Sequence, residues 1–188
     1  MVITDDPKLA ECMRSFRNHG ITTDHHQREA KSSWFYEMMY LGYNYRITDF
    51  QCALGINQLC KLPGWITRRQ EIARRYDLAF TELAGVKPLA VRKDVSHSYH
   101  LYVIQLDLAR LSTNRSEVFA ALRAAGIGVN VHYIPVYWHP YYRELGYVRG
   151  LCPRAEAAYD QILSLPMFPK MTDDDVSYVI ETLRQVID

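Results

Sequence analysis

The 188 residues are sufficient for one or two compact units, and their 48% hydrophobic and 23% charged content is ordinary for a globular protein. The formal net charge is +1, and the longest basic runs are the pairs Arg68-Arg69 and Arg74-Arg75. This balance gives no electrostatic reason to expect a nucleic acid or an anionic membrane as partner, and it leaves a local anion site open, because a few arginines can be focused without changing the total charge.

The N-terminal part begins with a short β-type run at residues 1–4, which predicts a strand. Asp6 and Pro7 predict the start of a helix, because aspartate is a favoured N-cap and proline is tolerated in the first turn. Gly20 is placed to close that helix. Residues 21–40 lack a regular pattern and are interpreted as a long loop, a feature that is often functional in compact domains.

A long helix is predicted after residue 48, because residues 48–51 (Thr-Asp-Phe-Gln) have the form of a capping box. The pair Pro63-Gly64 is expected to kink or break it. The arginine pairs farther along the helix are interpreted as a solvated face. We place a domain boundary near Gly85, where the composition changes.

The C-terminal part has the pattern of a small α+β domain. Strands are predicted over residues 99–106 and 128–132. Asn114 predicts the cap of a helix that runs through Ala125. Two further helices are predicted, one near residues 153–163 and one opened by Thr172, where three aspartates favour the positive end of a helix.

The four cysteines are Cys12, Cys52, Cys60 and Cys152, and none forms a C-x-x-C pair. Cys52 and Cys60 are eight residues apart in the predicted helix, too far along its axis for a disulfide. We expect all four to be mostly buried and to be reduced, which is the usual state of thiols in the cytoplasm. No apolar run reaches transmembrane length and the N-terminus is not a signal peptide, so we expect a soluble cytoplasmic protein.

Tyrosine is frequent, with 14 residues and a cluster between Tyr133 and Tyr147. A flat apolar ring with one polar tip suits a contact surface or a sugar pocket, and the alternative is a core with polar edges. The pair His25-His26 is interpreted as loop residues rather than a metal site, because no cysteine or acidic cluster accompanies it. A nucleophilic thiol is not expected at Cys12 or Cys52, since neither has an activating partner in the sequence.

Three segments carry a resemblance to a known family: residues 42–49 with the helical residues that follow, residues 131–136 with the tyrosines after them, and residues 163–169 running into the acidic helix start. Residues 17–20 and 100–102 add support. In this order the set resembles the DegT/DnrJ/EryC1/StrS family of pyridoxal-phosphate sugar aminotransferases. Within the family it is most similar to the branch that transaminates UDP-linked 4-keto-6-deoxy-N-acetylhexosamines for pseudaminic-acid-type sugars.

The resemblance implies an α/β fold of the fold-type I pyridoxal-phosphate transferase class. It assigns residues 1–84 to the end of the large domain and a long connecting helix, and residues 85–188 to the small C-terminal α+β domain. It further implies a homodimer, a nucleotide-sugar substrate, pyridoxal 5'-phosphate as cofactor and an amino-acid donor, expected to be glutamate.

The family's cofactor lysine occupies a Ser-x-His-x-x-Lys motif, and no lysine of this sequence lies in that context. The lysines are Lys8, Lys31, Lys61, Lys87, Lys93 and Lys170. We therefore expect the chain to correspond to the C-terminal half of such an enzyme, with no Schiff-base lysine and no transaminase activity by itself.

The resemblance also implies site residues. It places Asn44 at the cofactor phosphate of the neighbouring subunit, and an amide can donate to phosphate without adding charge. The alternative for Asn44 is that it satisfies local turn backbone. Arg46 is a second candidate for the phosphate, and its alternative is an ion pair with Asp49 or a neighbour.

The segment His132, Tyr133, Ile134 and Pro135 is implied to line the nucleotide-sugar site. His132 is able to form a hydrogen bond to a sugar hydroxyl or a diphosphate oxygen, and Tyr133 is able to pack on a ring of the ligand. The alternative is a structural histidine. For the whole chain, the alternatives to an aminotransferase fragment are a non-catalytic binding or assembly module and a family relative that dehydrates sugars, with histidine in place of lysine.

Overall fold

The computed structural model describes residues 2–23 and 25–187, and its contacts form two compact units that divide between Cys60 and Lys61. The described elements, in chain order, are α1 Pro7–Phe16, α2 His25–Ala30, α3 Asp49–Thr81, β1 Val86–Pro88, β2 Tyr102–Leu106, α4 Arg115–Ala124, a 3-10 turn at Val136–Trp138, α5 Pro140–Glu144, α6 Pro153–Gln161, β3 Ile162–Leu165 and α7 Asp173–Ile187.

The first helix begins where the sequence predicts. Asp6 is its N-cap, and the carboxylate accepts hydrogen bonds from the backbone of Lys8 at 2.8 Å and Leu9 at 3.3 Å. The strand predicted for residues 1–4 is wrong over the described residues 2–4, which have no strand partner in the described part of the chain and expose Val2 and Ile3. A strand forms only where a neighbour accepts its backbone hydrogen bonds.

The region predicted as a long loop is folded back on itself. It contains the short helix α2, an antiparallel bridge between Ile21 and Met38, and a hydrogen bond of 2.9 Å from the Thr22 amide to the Glu37 carbonyl. The prediction of an unstructured connection is therefore wrong for this part. Backbone amides and carbonyls of this region therefore form hydrogen bonds with each other and do not depend on solvent alone.

The long helix α3 has the predicted capping box at its start. The Gln51 amide donates to Thr48 Oγ1 at 3.3 Å, and the Thr48 amide donates to Gln51 Oε1 at 3.0 Å. Of the two predicted effects of Pro63, a break does not occur, since α3 runs without interruption to Thr81, and a kink stays a prediction. Proline removes only one backbone donor, and the buried face farther along the helix holds the rest in place.

The C-terminal unit is built on a three-stranded antiparallel sheet in the order β1-β2-β3. Val86 pairs with Leu106, and Ile104 pairs with Leu163 across the two ladders. Alternate residues of β2 are buried, so the predicted strand is confirmed over Tyr102–Leu106. The fully buried core of the C-terminal unit includes Ile72, Tyr76, Phe80, Ile104, Leu106, Val118, Leu122, Leu163, Val176 and Leu183.

The three predicted helices of this unit are confirmed as α4, α6 and α7. Asn114 forms a full capping box with Glu117 at the start of α4, and Thr172 caps α7 together with Asp175. The strand predicted for residues 128–132 is wrong, because only Asn130 makes a bridge, to Ser164 of β3. The C-terminal part of α3 packs its buried face into this unit, which explains why the compact units divide before residue 84.

The arginine pairs do not form one solvated face. Arg68 donates to the Met171 carbonyl at 2.7 Å and to Asp173 at 2.8 Å, and this hydrogen bond lowers the pKa of Asp173. Arg75 Nη2 donates to Ser177 Oγ at 3.0 Å. Arg69 donates to backbone carbonyls of two other segments, and of the four arginines only Arg74 is exposed. The partners of Arg68 and Arg75 lie about a hundred residues away, and those of Arg69 lie 30 and 98 residues away, so helical periodicity alone does not find them.

We expect the Arg69→Met variant to lose about 2 kcal/mol of unfolding free energy. The guanidinium donates to the carbonyls of Tyr99 at 2.7 Å and Met167 at 2.9 Å, and its removal leaves half-buried acceptors without a partner. Denaturant unfolding followed by circular dichroism measures the loss. Arg74→Met is the matched control on the same helix and is expected to change stability by less than about 0.5 kcal/mol; equal losses in both variants contradict the assignment.

All four cysteines are free. Cys12, Cys60 and Cys152 are exposed and Cys52 is half-buried, so the expectation that they are mostly buried is wrong. No helix within residues 2–23 and 25–187 combines the length and the apolar character needed to cross a bilayer.

Candidate functional site

The predicted phosphate-binding residues lie in an extended segment, residues 42–47, which we call the asparagine loop. It runs antiparallel to the chain that leaves α1. The Tyr43 amide donates to the Phe16 carbonyl at 2.8 Å, and the Tyr45 amide donates to the Arg17 carbonyl at 2.9 Å. Asn18 and Asn44 face each other as a bridge pair. The backbone of the loop is therefore held against a defined partner.

Two glycines permit this close approach. A Cβ on Gly42 would lie 2.2 Å from the Gly20 nitrogen and 2.7 Å from the Phe16 carbonyl oxygen. A Cβ on Gly20, whose φ is +67°, would lie 2.0 Å from the Tyr40 carbonyl oxygen. Because these neighbours are backbone atoms, they cannot rotate away as a flexible side chain does.

The asparagine loop has one aromatic face. Tyr43 and Tyr45 lie two residues apart, and their rings stack with centroids 5.2 Å apart and planes 11° apart. Phe16 meets the Tyr43 ring edge-on at 5.3 Å. Since side chains of an extended segment alternate between its two faces, Asn44 and Arg46 are directed to the opposite side.

That opposite side is a polar face, formed by Asn18, Asn44 and Arg46. Arg46 Nη1 donates to Asn18 Oδ1, which fixes the guanidinium beside the bridge pair. The side chain of Asn44 is exposed and makes no hydrogen bond within the described residues, and Arg46 makes no ion pair with Asp49 there. Two amides and a guanidinium with unused N–H groups are a suitable donor set for a phosphate dianion.

The polar face borders an open groove of about 950 Å³ in the N-terminal unit, to which Asn18 and Arg46 both contribute. The charged side chains along it are Lys8, Arg14, Arg17 and Arg46, with Glu11 as the single carboxylate among the lining residues. The local excess of positive charge attracts anions even though the whole chain is close to neutral.

The second predicted set lies in the C-terminal unit, in what we call the histidine–tyrosine segment, residues 131–135. His132 is half-buried, and its Nδ1 lies 2.8 Å from Ser164 Oγ on β3. The Tyr133 ring meets the imidazole edge-on at 4.6 Å and is 70% exposed. Ile134 reaches the surface, whereas Pro135 is buried and anchors the segment. The peptide bond between His132 and Tyr133 is cis.

Glu156 of α6 holds the chain that follows this segment. Its Oε1 accepts hydrogen bonds from Tyr137 Oη at 2.6 Å, the Gly150 amide at 2.6 Å and Trp138 Nε1 at 3.4 Å. The Tyr137 hydrogen bond is the largest cause that lowers the pKa of Glu156. Desolvation, followed by the bond to Glu156, raises the pKa of Tyr137 to about 12. The glutamate was not recognised in the sequence, where only its place in the first turn of a helix marks it.

The predicted tyrosine cluster lies at the surface rather than in a core. Tyr133, Tyr141 and Tyr147 are exposed, and the Tyr142 ring packs edge-on against both Tyr141 and Tyr147. This arrangement favours the interpretation as a contact surface or sugar pocket.

The structure thus brings Asn44 and Arg46 together with Asn18, and His132 together with Ser164. Neither Asn18 nor Ser164 was singled out as a site residue from the sequence. The signals for Ser164 are its place in the third segment of the resemblance, residues 163–169, and its hydroxyl in an apolar run. His26 lies in α2, and no group of three metal-ligating side chains occurs within the described part of the chain.

Residues 1–184 match the model of the DegT/DnrJ/EryC1/StrS aminotransferase family. The chain belongs to this family. Its structure is similar to that of a putative sugar aminotransferase, Spr1654 from Streptococcus pneumoniae in its PMP form, with a TM-score of 0.85 and 31% identity over 97% of this chain and 46% of that one. The predicted α/β, fold-type I class is confirmed by such neighbours, and aminotransferases of the family use pyridoxal phosphate.

Among the curated relatives that match the whole chain, two have named roles in sugar metabolism or polysaccharide synthesis. The spore coat polysaccharide biosynthesis protein SpsC of Bacillus subtilis is 41% identical over 190 residues, which are 49% of its length. The UDP-4-amino-4,6-dideoxy-N-acetyl-beta-L-altrosamine transaminase of Campylobacter jejuni is 35% identical over 188 residues, which are 47% of its length. The chain therefore spans about half the length of the relatives that it matches.

Proposed function

We propose that the chain supplies the phosphate-binding loop and the sugar-binding segment of a cytoplasmic, pyridoxal-phosphate-dependent aminotransferase. The reaction moves an amino group, from glutamate, to a nucleotide-linked 4-keto-6-deoxy sugar for cell-surface glycan synthesis. The observation that carries this proposal is the family match over residues 1–184. The named roles of the Bacillus and Campylobacter relatives support the choice of substrate class.

In this proposal, residues 1–84 form the end of the large domain with its connecting helix, and residues 85–188 form the small domain. The lysine that binds the cofactor covalently belongs to a part of the enzyme outside these 188 residues. None of the six lysines present lies in a Ser-x-His-x-x-Lys motif. The 188 residues by themselves are accordingly proposed to be inactive.

Pyridoxal phosphate, when bound, supplies the electron sink for amino-group transfer. The residues of this chain hold its phosphate: Asn44 donates through its neutral amide, and Arg46 adds a positive charge and a second donor. Asn18 keeps the Arg46 guanidinium beside Asn44 through the hydrogen bond that already exists. A fixed donor pair binds a dianion with less loss of side-chain entropy than two free side chains.

The histidine–tyrosine segment is proposed to bind the nucleotide sugar. Tyr133 offers an exposed ring on which a sugar or base can pack, together with its hydroxyl. His132 offers the ring nitrogen that does not face Ser164 as a hydrogen-bonding group. Ile134 covers part of the same surface with apolar atoms, and buried Pro135 keeps the three side chains in place.

The cofactor assignment is tested by reductive trapping. The chain is incubated with pyridoxal phosphate and borohydride, and the peptides are searched by mass spectrometry for a phosphopyridoxyl lysine. We expect no stoichiometric adduct at any of the six lysines and no amino-group transfer to a keto-sugar nucleotide. A stoichiometric adduct at one lysine, together with turnover, contradicts the proposal that the anchor lies elsewhere.

The phosphate role predicts a weaker affinity for pyridoxal phosphate in the Arg46→Met variant, by roughly 10-fold or more. Loss of one charge-assisted hydrogen bond corresponds to that range. Binding is measured on the 188-residue chain by phosphorus NMR titration. Arg74→Met removes an exposed arginine of the other unit and is expected to leave the affinity unchanged, and equal weakening in both variants excludes a specific role for Arg46.

An assembly role is the second candidate, because the N-terminal unit exposes many large apolar side chains. Trp34 is 85% exposed and Phe50 is 80% exposed, and Leu54, Ile56 and Leu59 of α3 are also exposed. Surfaces of this kind mark protein contacts. We propose a homodimer as the partner arrangement, and sedimentation of the chain tests it: a strict monomer at high concentration argues against both the dimer and a self-assembling module.

A further inference from the structure

Ser164 is a polar residue in an apolar setting. It lies in β3 between Leu163 and Leu165, and it is 4% exposed. Its amide donates to the Asn130 carbonyl at 2.7 Å, and its carbonyl accepts from the Asn130 amide at 3.2 Å. The backbone of Ser164 is thus satisfied without its side chain, so the buried hydroxyl requires a separate explanation.

The hydroxyl has one hydrogen-bond partner within the described residues, the Nδ1 atom of His132 at 2.8 Å. If Ser164 Oγ accepted a hydrogen bond from a protonated Nδ1, its own hydroxyl hydrogen would have no acceptor among the described residues of this apolar strand. A buried donor without an acceptor is unfavourable, whereas a Ser164 hydroxyl that donates to Nδ1 has its own hydrogen paired and leaves the other ring nitrogen to carry the proton. The surroundings therefore favour Ser164 as the donor and Nδ1 as the acceptor.

We propose that Ser164 is a positioning residue that fixes the neutral His132 imidazole in the tautomer with its proton on Nε2. This inference rests on the proposed function of the histidine–tyrosine segment. With the proton on Nε2, the ring nitrogen that does not face Ser164, His132 is a hydrogen-bond donor, and it selects an oxygen acceptor such as a diphosphate oxygen or a carbonyl oxygen of a nucleotide sugar. The neighbouring Tyr133 ring, edge-on at 4.6 Å, restricts rotation of the imidazole.

The tautomer is measured without any ligand. Long-range nitrogen–proton NMR spectra of the labelled chain at mildly alkaline pH distinguish protonated from unprotonated ring nitrogens. The His132 signals are assigned by their loss in the His132→Gln variant. We expect the single Nε2–H pattern in the native chain, together with a Ser164 hydroxyl proton that exchanges slowly with water. A native Nδ1–H pattern overturns the inference.

Variants separate a positioning role from a merely structural one. Ser164→Ala is expected to give a mixture of tautomers, and Ser164→Thr, which keeps the hydroxyl, is expected to restore the single pattern. Thr182→Val removes a different buried hydroxyl of the C-terminal unit and is expected to leave the His132 signals unchanged. Unchanged nitrogen shifts in a folded Ser164→Ala variant overturn the inference. If that variant does not fold, the native and Ser164→Thr spectra decide.

A second measurement addresses the ligand. UDP, N-acetylglucosamine and UDP-N-acetylglucosamine are titrated separately, so that the diphosphate and the sugar are distinguished as sources of the acceptor oxygen. We expect Ser164→Ala to weaken the binding of whichever probe contacts His132 by roughly 2- to 10-fold, the range of one hydrogen bond. If no probe binds the native chain, the proposed sugar site fails while the tautomer result stands by itself. Binding that is equal in native and Ser164→Ala chains overturns the positioning role.

Discussion

Replacing Gly42 by alanine is expected to detach the asparagine loop from the end of α1. The added Cβ would meet the Gly20 nitrogen at 2.2 Å, the His19 carbonyl carbon at 2.6 Å and the Phe16 carbonyl oxygen at 2.7 Å. Because every one of these atoms is backbone, one of the two segments must move. We expect a cost of about 3 kcal/mol, the upper end of the range for overpacking.

The consequence is local and is measured by hydrogen exchange. The amides of His19, Tyr43 and Tyr45 cross between the two segments and are expected to lose their protection in Gly42→Ala. Gly55→Ala is the matched control, because a Cβ at this helical position has no atom within 4 Å and alanine favours a helix. Retained protection in Gly42→Ala contradicts the described loop geometry.

The same variant connects stability with function. If the asparagine loop separates from residues 16–20, Asn18 no longer lies beside Asn44 and Arg46, and the polar face is lost. We therefore expect Gly42→Ala to weaken pyridoxal phosphate binding at least as much as Arg46→Met, although glycine itself provides no donor. A variant with lost amide protection and native affinity separates the loop geometry from phosphate binding.

Phe80→Ala is expected to destabilise the C-terminal unit by about 3–5 kcal/mol, the usual cost of removing a fully buried phenyl ring. The Phe80 ring stacks on Tyr76 with centroids 5.5 Å apart and lies 6.5 Å from Tyr102 of β2. Its removal leaves a cavity between α3 and the sheet. Denaturant unfolding followed by circular dichroism gives the difference in unfolding free energy.

Leu78→Ala is the matched control for this variant. Leu78 lies two residues earlier on α3 and is 77% exposed, so its truncation is expected to change the unfolding free energy by less than about 0.5 kcal/mol. If the two variants lose the same stability, the position of the core in this unit is wrong.

Features set by neighbours in the sequence were predicted well. The caps at Asp6, Thr48, Asn114 and Thr172 are all present, because each depends on a side chain and an amide within three residues. Helix starts were therefore accessible without knowledge of the fold.

Features set by distant partners were not predicted. Residues of β1 and β3 are extended because they pair with β2. The sequence around Val86 or Ile162 carries little local signal for a strand. The local pattern places Arg69 on a solvated face of the helix. Its acceptor, the Met167 carbonyl, lies 98 residues away and leaves no sign in the neighbouring sequence. The run at residues 2–4 shows the converse, since a β-type composition without a described partner forms no strand.

The candidate site shows the same difference between what the sequence indicates and what distant partners decide. The resemblance selected Asn44 and His132, but it did not select the residues that hold them. Asn18 is joined to Arg46 across 28 residues, and Ser164 is joined to His132 across 32 residues. A supporting partner of this kind becomes visible only when backbone pairing places the two segments side by side.

The exposed thiols of Cys12, Cys60 and Cys152 have a practical consequence for the association experiment. Air oxidation can link two chains through a disulfide and imitate a non-covalent dimer, so sedimentation must be run in a reducing buffer. The same accessibility is useful for spectroscopy. A variant that retains only Cys12 can be labelled with a fluorescent maleimide in the N-terminal unit. A variant that retains only Cys152 can be labelled in the C-terminal unit, so that ligand binding to each unit is followed separately.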